Sequence, residues 1–198
     1  HLGERFGVPV QAHAQFGTAT LEVPRAGTRT GSRSSMRLDI ASCRKETYRE
    51  PAAYPKVSRG TLRDDLFRRD FTINAMALAL NADRFGVLVD PFHGLRDLTR
   101  RRLRILHAKS FLDDPSLILR AARLAPRFHL HLEQRTARKV SWALARGLLG
   151  RRNRGRLRKE FERMAAEPNP RACLACLGRW LEASSNIRRG KLEVGSRK

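Results

Sequence analysis

Two arginines three residues apart have the chemistry to bind phosphate groups. Arg120 and Arg123 stand in the run ILRAARLA, whose apolar residues repeat with the spacing of a helix. Residues at positions i and i+3 are neighbours on a helix surface, so two guanidinium groups there can grip neighbouring phosphate oxygens, as a triphosphate requires. The alternative for the same pattern is a solvated basic face on a structural helix.

Two carboxylates stand at the ends of expected elements. Asp114 precedes Pro115 at the acidic start of the same helix, where it could accept a hydrogen bond from a base amino group or simply cap the helix. Asp39 lies at the end of the expected strand MRLDIAS, where it could bind a metal ion or position a hydroxyl group. One carboxylate makes a weak magnesium site, and the sequence contains neither a D-x-D pair nor a glycine-rich phosphate loop.

The segment RRDFTINAMA, residues 68–77, places polar side chains inside an apolar run. Its apolar residues recur at spacings of three and four, which predicts a helix from Phe71 onward. Asp70 is then placed to cap that helix by accepting a hydrogen bond from an N–H of the first turn. A helix that only buried one face would not need both Asp70 and Asn74 on its first turns, so the segment is a candidate binding site.

The charge of the chain favours a polyanionic partner. Among 198 residues, 41 Lys and Arg against 19 Asp and Glu give a formal net charge of +22. Most of the excess is Arg, which pairs bidentately with phosphate, so nucleic acid or nucleotides are the favoured partners. A solvated basic surface, or a coding bias toward Arg, is the alternative explanation.

Cysteine content and hydropathy disfavour several other classes of protein. Cys173 and Cys176 have a C-x2-C spacing, but no second pair accompanies them. Their place in a helical pattern favours buried small residues over a zinc or redox site. No apolar run approaches the ~18 residues that span a bilayer, and no signal peptide is visible. We therefore expect no membrane partner and a cytoplasmic location.

The chain is expected to form an α/β unit followed by a helical unit. Strands are predicted in VPVQAHAQFGTATLEV, MRLDIAS, GVLVDP and LRILH, with a short helix in HGLRDL. Helical patterns then follow in SLILRAARLAPRF, which Pro126 should kink or end, in two amphipathic stretches, and after Asn169-Pro170. We predict an α+β fold with units at residues 1–107 and 108–183 and a disordered tail at 184–198.

Several of these stretches occur together in one known family. The chain resembles the bacterial tRNA nucleotidyltransferase and poly(A) polymerase family, the CCA-adding type of template-independent polymerase. The matching stretches are FGTATL, LDIASCRKETYREPAAYPKVSRGTLRDDLFRRDFTINAMAL, VDPFHGLRDL and LRIL…FLDDPSLILRAARLAPRF, followed by RGRLRKEFERMAAEPNPRACLACL. The resemblance implies an incomplete nucleotidyltransferase-type palm, a mixed sheet with helices, and then an all-helical neck and the start of an RNA-binding body.

The resemblance also implies roles for individual residues. The arginines would hold the phosphates, and the other side chains would orient the ribose and the base, in a nucleotide site formed by Arg69, Asp70, Asn74, Asp114, Arg120 and Arg123. Asp114 would read the base by hydrogen bonds rather than from a nucleic-acid template. Asp90 and Gly94 match the family's D-P-x-x-G turn between the nucleotide pocket and the neck. Asp39 matches a carboxylate near the catalytic pair, which makes it a candidate catalytic residue.

Three departures from the family pattern bear on activity. The opening G-G-x-V-R-D loop and the D-x-D pair that holds two Mg²⁺ ions in the family are absent from these 198 residues, so we expect them to be inactive alone. Leu117 stands where the E-D-x-x-R motif has its base-reading Arg, and a leucine cannot donate a hydrogen bond to a base. Asp113 replaces the leading Glu, and Pro126 stands where a residue that continues the helix is usual.

Two hypotheses follow from the sequence. The first is an RNA 3′-end nucleotidyltransferase, in which the 3′-hydroxyl of a tRNA attacks the α-phosphate of CTP or ATP, with Mg²⁺ as the cofactor of the complete enzyme. Addition of CCA, of CC or A alone, or of a poly(A) tail all fit these motifs. The second is a non-catalytic RNA-binding protein or a degenerate remnant that retains the fold, which Leu117 and the missing carboxylates also fit.

Overall fold

The first part of the chain forms an antiparallel sheet. The computed structural model describes residues 2–14, 17–24, 35–47, 49, 55–150 and 154–195, with the backbone alone for residues 2 and 186–195. A short helix, α1 (Leu2–Phe6), precedes three strands in the order β1 (Val10–His13), β2 (Thr18–Pro24) and β3 (Ser35–Ala41). Both pairings are antiparallel, and β2 lies in the centre with Leu21 buried. The strands predicted over this region are confirmed.

A hairpin and a capped helix lead from this sheet into the RRDFTINAMA segment. The strands β4 (Arg44–Thr47) and β5 (Lys56–Arg59) pair antiparallel, and α2 (Leu62–Phe67) follows. Thr61 caps α2, because its hydroxyl accepts a hydrogen bond from the Asp64 N–H while the Asp64 carboxylate accepts one from the Thr61 N–H at 2.9 Å. This reciprocal pair fixes the start of α2.

The helix predicted from Phe71 onward is wrong. Residues Thr72–Asn74 form a single 3₁₀ turn, and β6 (Ala77–Leu78) then pairs antiparallel with β7 (Leu88–Val89). Phe71 is fully buried in a β-bridge to Ile105, and the Thr72 N–H donates to the Arg104 carbonyl. These long-range backbone bonds replace the helical ones, so tertiary pairing overrides the local spacing. Asp70 therefore caps no helix.

The short helix predicted in HGLRDL is confirmed, and it packs against the 3₁₀ turn. Asp90 accepts hydrogen bonds from the Gly94 and Leu95 N–H groups, which begins α3 (Gly94–Thr99). A Cβ at Gly94 would stand 2.1 Å from the Thr72 carbonyl oxygen, so only glycine allows this approach. The predicted strand LRILH, residues 103–107, is largely wrong: its Leu103 ends β8 (Arg102–Leu103), which pairs in parallel with β9 (His131–Leu132), and Ile105 forms an isolated bridge.

The remaining described residues are largely helical. In chain order the helices are α4 (Ser110–Asp113), α5 (Ser116–Arg127), α6 (Gln134–Ala145), α7 (Arg154–Ala165) and α8 (Pro170–Gly195). One face of α5 supplies Ile118 and Leu119 to a core with Val140 of α6 and Cys173 of α8. The burial of Cys173 agrees with a packing role for the C-x2-C pair. Pro126 lies in the last turn of α5, and the helix ends one residue later.

The two predicted units share part of their core. Phe71 and Leu103, from before the expected boundary at residue 107, pack with Ala121, Leu124 and Leu130 from after it. The boundary itself stays a prediction. The disordered tail predicted at 184–198 also stays a prediction; α8 is described as far as Gly195, and residues 196–198 lie outside the described part.

Candidate functional site

A cavity of about 960 Å³ lies where the α/β part meets the helices. Its walls come from β4 and Pro55, from α2 and the RRD segment, and from α4, α5 and α7. It is lined largely by charged side chains, with Phe67 and Leu117 as apolar patches; the charged ones include Arg44, Arg69, Asp70, Asp113, Asp114, Arg120 and Arg156. Charges of both signs line the same space, so the cavity suits a ligand with both phosphate groups and hydrogen-bonding edges.

The RRD segment places three of the predicted site residues at one wall of the cavity. Asp70 Oδ1 accepts two hydrogen bonds, one from the backbone N–H of Phe71 at 2.8 Å and one from Asn74 Nδ2 at 3.0 Å. Arg69 Nη1 donates to the Asn74 carbonyl oxygen at 3.4 Å. The 3₁₀ turn thus draws Asp70 and Asn74 together, and the polar residues of this segment serve the cavity rather than a helix.

Arg120 connects this wall to the helical part. Its Nη1 lies 3.1 Å from Asp70 Oδ2, while Nε and Nη2 lie 3.1 and 2.7 Å from Glu160 Oε1 on α7. Burial by itself would lower the pKa of Arg120, but the adjacent carboxylates of Glu160 and Asp70 more than offset this, and the pKa lies above its ordinary value. Arg120 therefore presents a fixed positive charge at the cavity.

Arg123 and Asp39 do not line this cavity. Arg123 lies on the side of α5 that faces the start of α8, and its Nη1 donates to Glu167 Oε1 at 2.9 Å. Three residues turn a helix by about 300°, so Arg123 is displaced around α5 from Arg120. Asp39 is exposed on β3, where hydrogen bonds from Thr20 Oγ1 and Arg37 Nε lower its pKa. The roles predicted for both residues stay predictions.

Asp114 and its neighbours form another wall of the cavity. Asp114 Oδ1 accepts a hydrogen bond from the Ser116 N–H at 3.0 Å, which agrees with a role at the start of α5, and Oδ2 lies 3.3 Å from Arg156 Nη1. Burial raises the pKa of Asp113 and lowers that of His107, whose Nδ1 lies 3.9 Å from the Asp113 carboxylate. Sequence reasoning missed the place of His107 and Arg156, because no local spacing connects them to Asp114.

The comparisons with known proteins agree with this geometry. Residues 7–104 match the poly A polymerase head domain. The chain is 44% identical over 161 residues to an A-adding tRNA nucleotidyltransferase of Aquifex aeolicus (strain VF5), which covers 81% of this chain and 18% of that protein. It is 39% identical to a CC-adding tRNA nucleotidyltransferase of Deinococcus radiodurans, over 88% of this chain and 43% of that protein.

Solved structures show the same fold. An apo form of a CCA-adding enzyme superposes with a TM-score of 0.82 at 38% identity, over 90% of this chain and 40% of that one. The chain belongs to the tRNA nucleotidyltransferase and poly(A) polymerase family. A tRNA nucleotidyltransferase complexed with a primer tRNA and an incoming ATP analog gives 0.76 at 37% identity, over 90% of this chain and 47% of that one. The predicted family and fold are confirmed, and the chain spans less than half the length of these relatives.

The residues described here do not fit the magnesium site expected of this family. Nowhere in the described ranges do three or more His, Cys, Asp or Glu side chains gather in a way that could hold a metal ion. Asp39 is a single carboxylate whose Oδ1 is already bonded to Thr20 and Arg37. No step of the chemistry is therefore assigned to a metal held by these residues.

Across the same ranges, every helix is either too short or too polar to span a bilayer.

Proposed function

We propose that this chain holds the incoming nucleotide in an RNA 3′-end nucleotidyltransferase that extends the 3′ end of tRNA from CTP or ATP. The observation that carries the proposal is the contact between Asp70 and Arg120, which lie 50 positions apart in sequence and 3.1 Å apart in space. It brings the RRD segment and the arginine helix to one cavity. The family resemblance implies that the first of these stretches orients the ribose and that the second binds the phosphates.

Each side chain of the cavity has a task in this proposal. Arg69 and Arg120 hold the phosphate oxygens, because their guanidinium groups line the cavity and contact the RRD turn through Asn74 and Asp70. Asp70 and Asn74, already hydrogen-bonded to each other, orient the ribose. Asp114 accepts a hydrogen bond from the base. The primer 3′-hydroxyl then attacks the α-phosphate and pyrophosphate leaves, while these residues keep the nucleotide aligned.

Arg123 and Asp39 lie outside the cavity that is proposed to hold the nucleotide. Arg123 is proposed to help with the triphosphate only by holding Glu167 and so fixing the position of α5, because its side chain lies outside the cavity. A catalytic part for Asp39 stays a prediction without a contact to support it. We also propose that Mg²⁺ acts in the complete enzyme through carboxylates outside the described residues.

The proposed RNA partner is supported by charge. The net charge of +22 creates a field that attracts a polyanion, and one solved relative is a complex with a primer tRNA. A tRNA substrate also fits the cytoplasmic location expected from the sequence. RNA binding should weaken steeply with rising salt concentration, because each neutralised phosphate releases a counterion. An RNA affinity that stays the same when the salt concentration rises about tenfold, from about 50 to about 500 mM, would contradict this mode of binding.

Nucleotide binding by the chain tests the proposal directly. Calorimetric titration with ATP and with CTP should show binding to the wild-type protein and an affinity about tenfold lower for Arg69→Ala, which removes one charge-assisted contact to a phosphate. Arg158→Ala is the matched control, since Arg158 is an exposed arginine of α7 outside the cavity. Equal affinities for the wild type and Arg69→Ala would contradict the phosphate-binding role of Arg69. If the wild-type protein bound neither ATP nor CTP, the proposed function would be wrong.

Incorporation assays test whether these residues are active alone, and nucleotide binding separates the proposed enzyme from the alternative. With Mg²⁺, labelled ATP or CTP and a tRNA that lacks its 3′ end, we expect no incorporation by these 198 residues, because they contain no D-x-D pair. Clear incorporation would show that the metal carboxylates lie within them. The non-catalytic RNA-binding alternative is favoured by Leu117, which cannot donate to a base, and it predicts RNA binding without any binding of ATP or CTP.

A further inference from the structure

A second cavity, of about 450 Å³, shares His107 with the first cavity but is otherwise built from different residues. Its walls come from α3, from the segment that runs from β8 to Ala108, and from the first turns of α6. Two carboxylates, Asp97 and Glu133, lie there among five cationic side chains, which are Arg96, Arg102, Arg104, Arg135 and Lys139. A cleft lined mainly by one sign of charge focuses the electric field on the space that it encloses, so this cavity attracts anions.

Most arginines of the second cavity have no carboxylate beside them. In the first cavity, every lining arginine has a nitrogen between 2.7 and 3.5 Å from a carboxylate oxygen. In the second cavity Arg104 is paired in this way, whereas no carboxylate of the described residues forms an ion pair with Arg96, Arg102 or Arg135. A ligand can therefore neutralise this positive charge without displacing a carboxylate of the protein.

Arg104 is a half-buried donor that the protein holds in place. Its Nε donates to Asp97 Oδ2 at 2.6 Å, and its Nη2 donates to the Phe92 carbonyl oxygen at 2.8 Å. Its Nη1 donates to no acceptor among the described residues, and the side chain is 30% exposed. Two nitrogens thus fix the orientation of the guanidinium group, and the third is left to donate to a ligand.

The two carboxylates of the second cavity are already bonded to its walls. Asp97 is 3% exposed and accepts hydrogen bonds from Thr72 Oγ1 at 2.7 Å and from Arg104 Nε. Glu133 Oε2 accepts a hydrogen bond from the Thr136 N–H at 3.0 Å and so caps α6. Both carboxylates therefore hold the walls together and leave the exposed cations of the cavity uncompensated.

We propose that the second cavity is a phosphate-binding site, distinct from the nucleotide cavity, which takes either the phosphodiester groups of an RNA strand or free pyrophosphate. Arg104 Nη1 donates to one phosphate oxygen, and the exposed Arg102 and Arg135 neutralise the remaining charge. A phosphate group suits this set better than a carboxylate, because it has acceptor oxygens for several arginines at once. Arg102 lies on β8 and Arg135 on α6, so the bound phosphate also joins the α/β part to the helices.

Two double variants with the same loss of charge test this inference. Arg102→Gln/Arg135→Gln removes two cations of the second cavity, whereas Arg100→Gln/Arg138→Gln removes two exposed arginines that do not line it. The probes are a labelled single-stranded RNA, followed by fluorescence anisotropy, and inorganic pyrophosphate, followed by calorimetry. At least one probe should bind about fivefold more weakly to the first variant and less than about twofold more weakly to the second.

The probe that loses affinity identifies the source of the phosphate. A loss for the RNA alone assigns the site to the RNA backbone, and the slope of log affinity against log salt concentration should then become less steep by about 1.4, since each contact to a single strand contributes about 0.7. A loss for pyrophosphate alone assigns the site to the free anion, and a loss for both means that it accepts phosphate from either source. Equal weakening in the two double variants, or none in either, would overturn the inference.

A further comparison tests whether the two cavities are separate. Introduced together with Arg69→Ala, the change Arg102→Gln/Arg135→Gln should have the same effect as in the wild type, because distant sites act independently. An effect that disappears beside Arg69→Ala would mean that the probe binds in the first cavity, and it would overturn the inference. Should the double variant fail to fold by circular dichroism, Arg96→Gln/Lys139→Gln removes two other cations of the second cavity and should give the same result.

Discussion

Replacing Glu160 by Gln would remove the negative charge that joins α5 to α7. Glu160 is 1% exposed, and its carboxylate lies beside the guanidinium groups of Arg120, Arg123 and Arg163. Burial acts to raise the pKa of Glu160, but the hydrogen bond and charge of Arg120, with those of the other arginines, lower it below its ordinary value. Glu160 is therefore ionised at neutral pH and compensates buried positive charge.

The loss of stability in Glu160→Gln depends on which ion pairs the three arginines retain. Removing one partner of a buried ion pair costs about 3–5 kcal/mol. Here Arg120 retains Asp70 and Arg123 retains Glu167, and Arg163 is 56% exposed, where an ion pair contributes about 0–1 kcal/mol. Glutamine also keeps one acceptor oxygen. We therefore expect the free energy of unfolding to fall by about 2–3 kcal/mol, which lowers Tm by about 4–12 °C for a protein of this size.

Urea unfolding followed by circular dichroism at 222 nm measures this change. Glu162→Gln is the matched control, because Glu162 lies on the same helix but pairs with Arg158, whose side chain is 83% exposed, and such pairs contribute about 0.3–0.5 kcal/mol. A Glu160→Gln protein as stable as the Glu162→Gln protein would refute the reasoning. So would a gain in stability, since it would mean that the cost of burying Glu160 exceeds its attraction to the arginines.

Three other predictions concern stability. The pKa of Glu160 and of Glu167 lies below the ordinary 4.5, so both stabilise the fold above that pH, and this contribution should be lost as the pH falls through the lower folded-state pKa. Urea unfolding at a series of pH values should show this fall, and Glu160→Gln should reduce it. Gly94→Ala should lower the free energy of unfolding by about 1–3 kcal/mol, because the new Cβ clashes with the backbone at Thr72. Gly178→Ala is the control: its Cβ would meet open space within α8, so the change should be neutral or stabilising. Thermal unfolding of both variants measures the difference. Asp90→Ala should cost about 1 kcal/mol by freeing two N–H groups of α3, and an unchanged Tm would contradict that capping role.

Local signals in the sequence were sufficient for most elements. The strands β1 to β3, the helix α5 and the start of α8 follow from alternation, from apolar spacing and from capping, and Asn169 does accept the Ala172 N–H. The segment after Phe71 could not be predicted in this way. Its spacing of three and four suits a helix, but the bridge from Phe71 to Ile105 and the pairing of β6 with β7 join residues ten or more positions apart. Such bonds leave no mark in a local window.

The site shows the same division between local and distant information. Asp70 and Asn74 were predicted together as polar residues inside one apolar run, and the match to family motifs added Arg69. Spacing alone suggested that Arg120 and Arg123 act together, yet the structure turns Arg123 toward Glu167. Nothing in the sequence pattern showed that α7 would bring an acceptor to Arg120, and a donor to Asp114, from some 40 positions away.

The arrangement around Arg120 explains how a cavity lined with ion pairs can still accept phosphate. Glu160 holds Nε and Nη2 of Arg120, and Asp70 holds Nη1. A phosphate oxygen that replaced Asp70 at Nη1 would leave the two bonds to Glu160 intact, so the guanidinium would stay in place while it changed one partner. Asp70 keeps its bonds to the Phe71 N–H and to Asn74 through its other oxygen, Oδ1, and its Oδ2 would then be able to accept a hydrogen bond from a ribose hydroxyl. The contact between Arg120 and Asp70 thus supplies both groups that the proposed nucleotide needs.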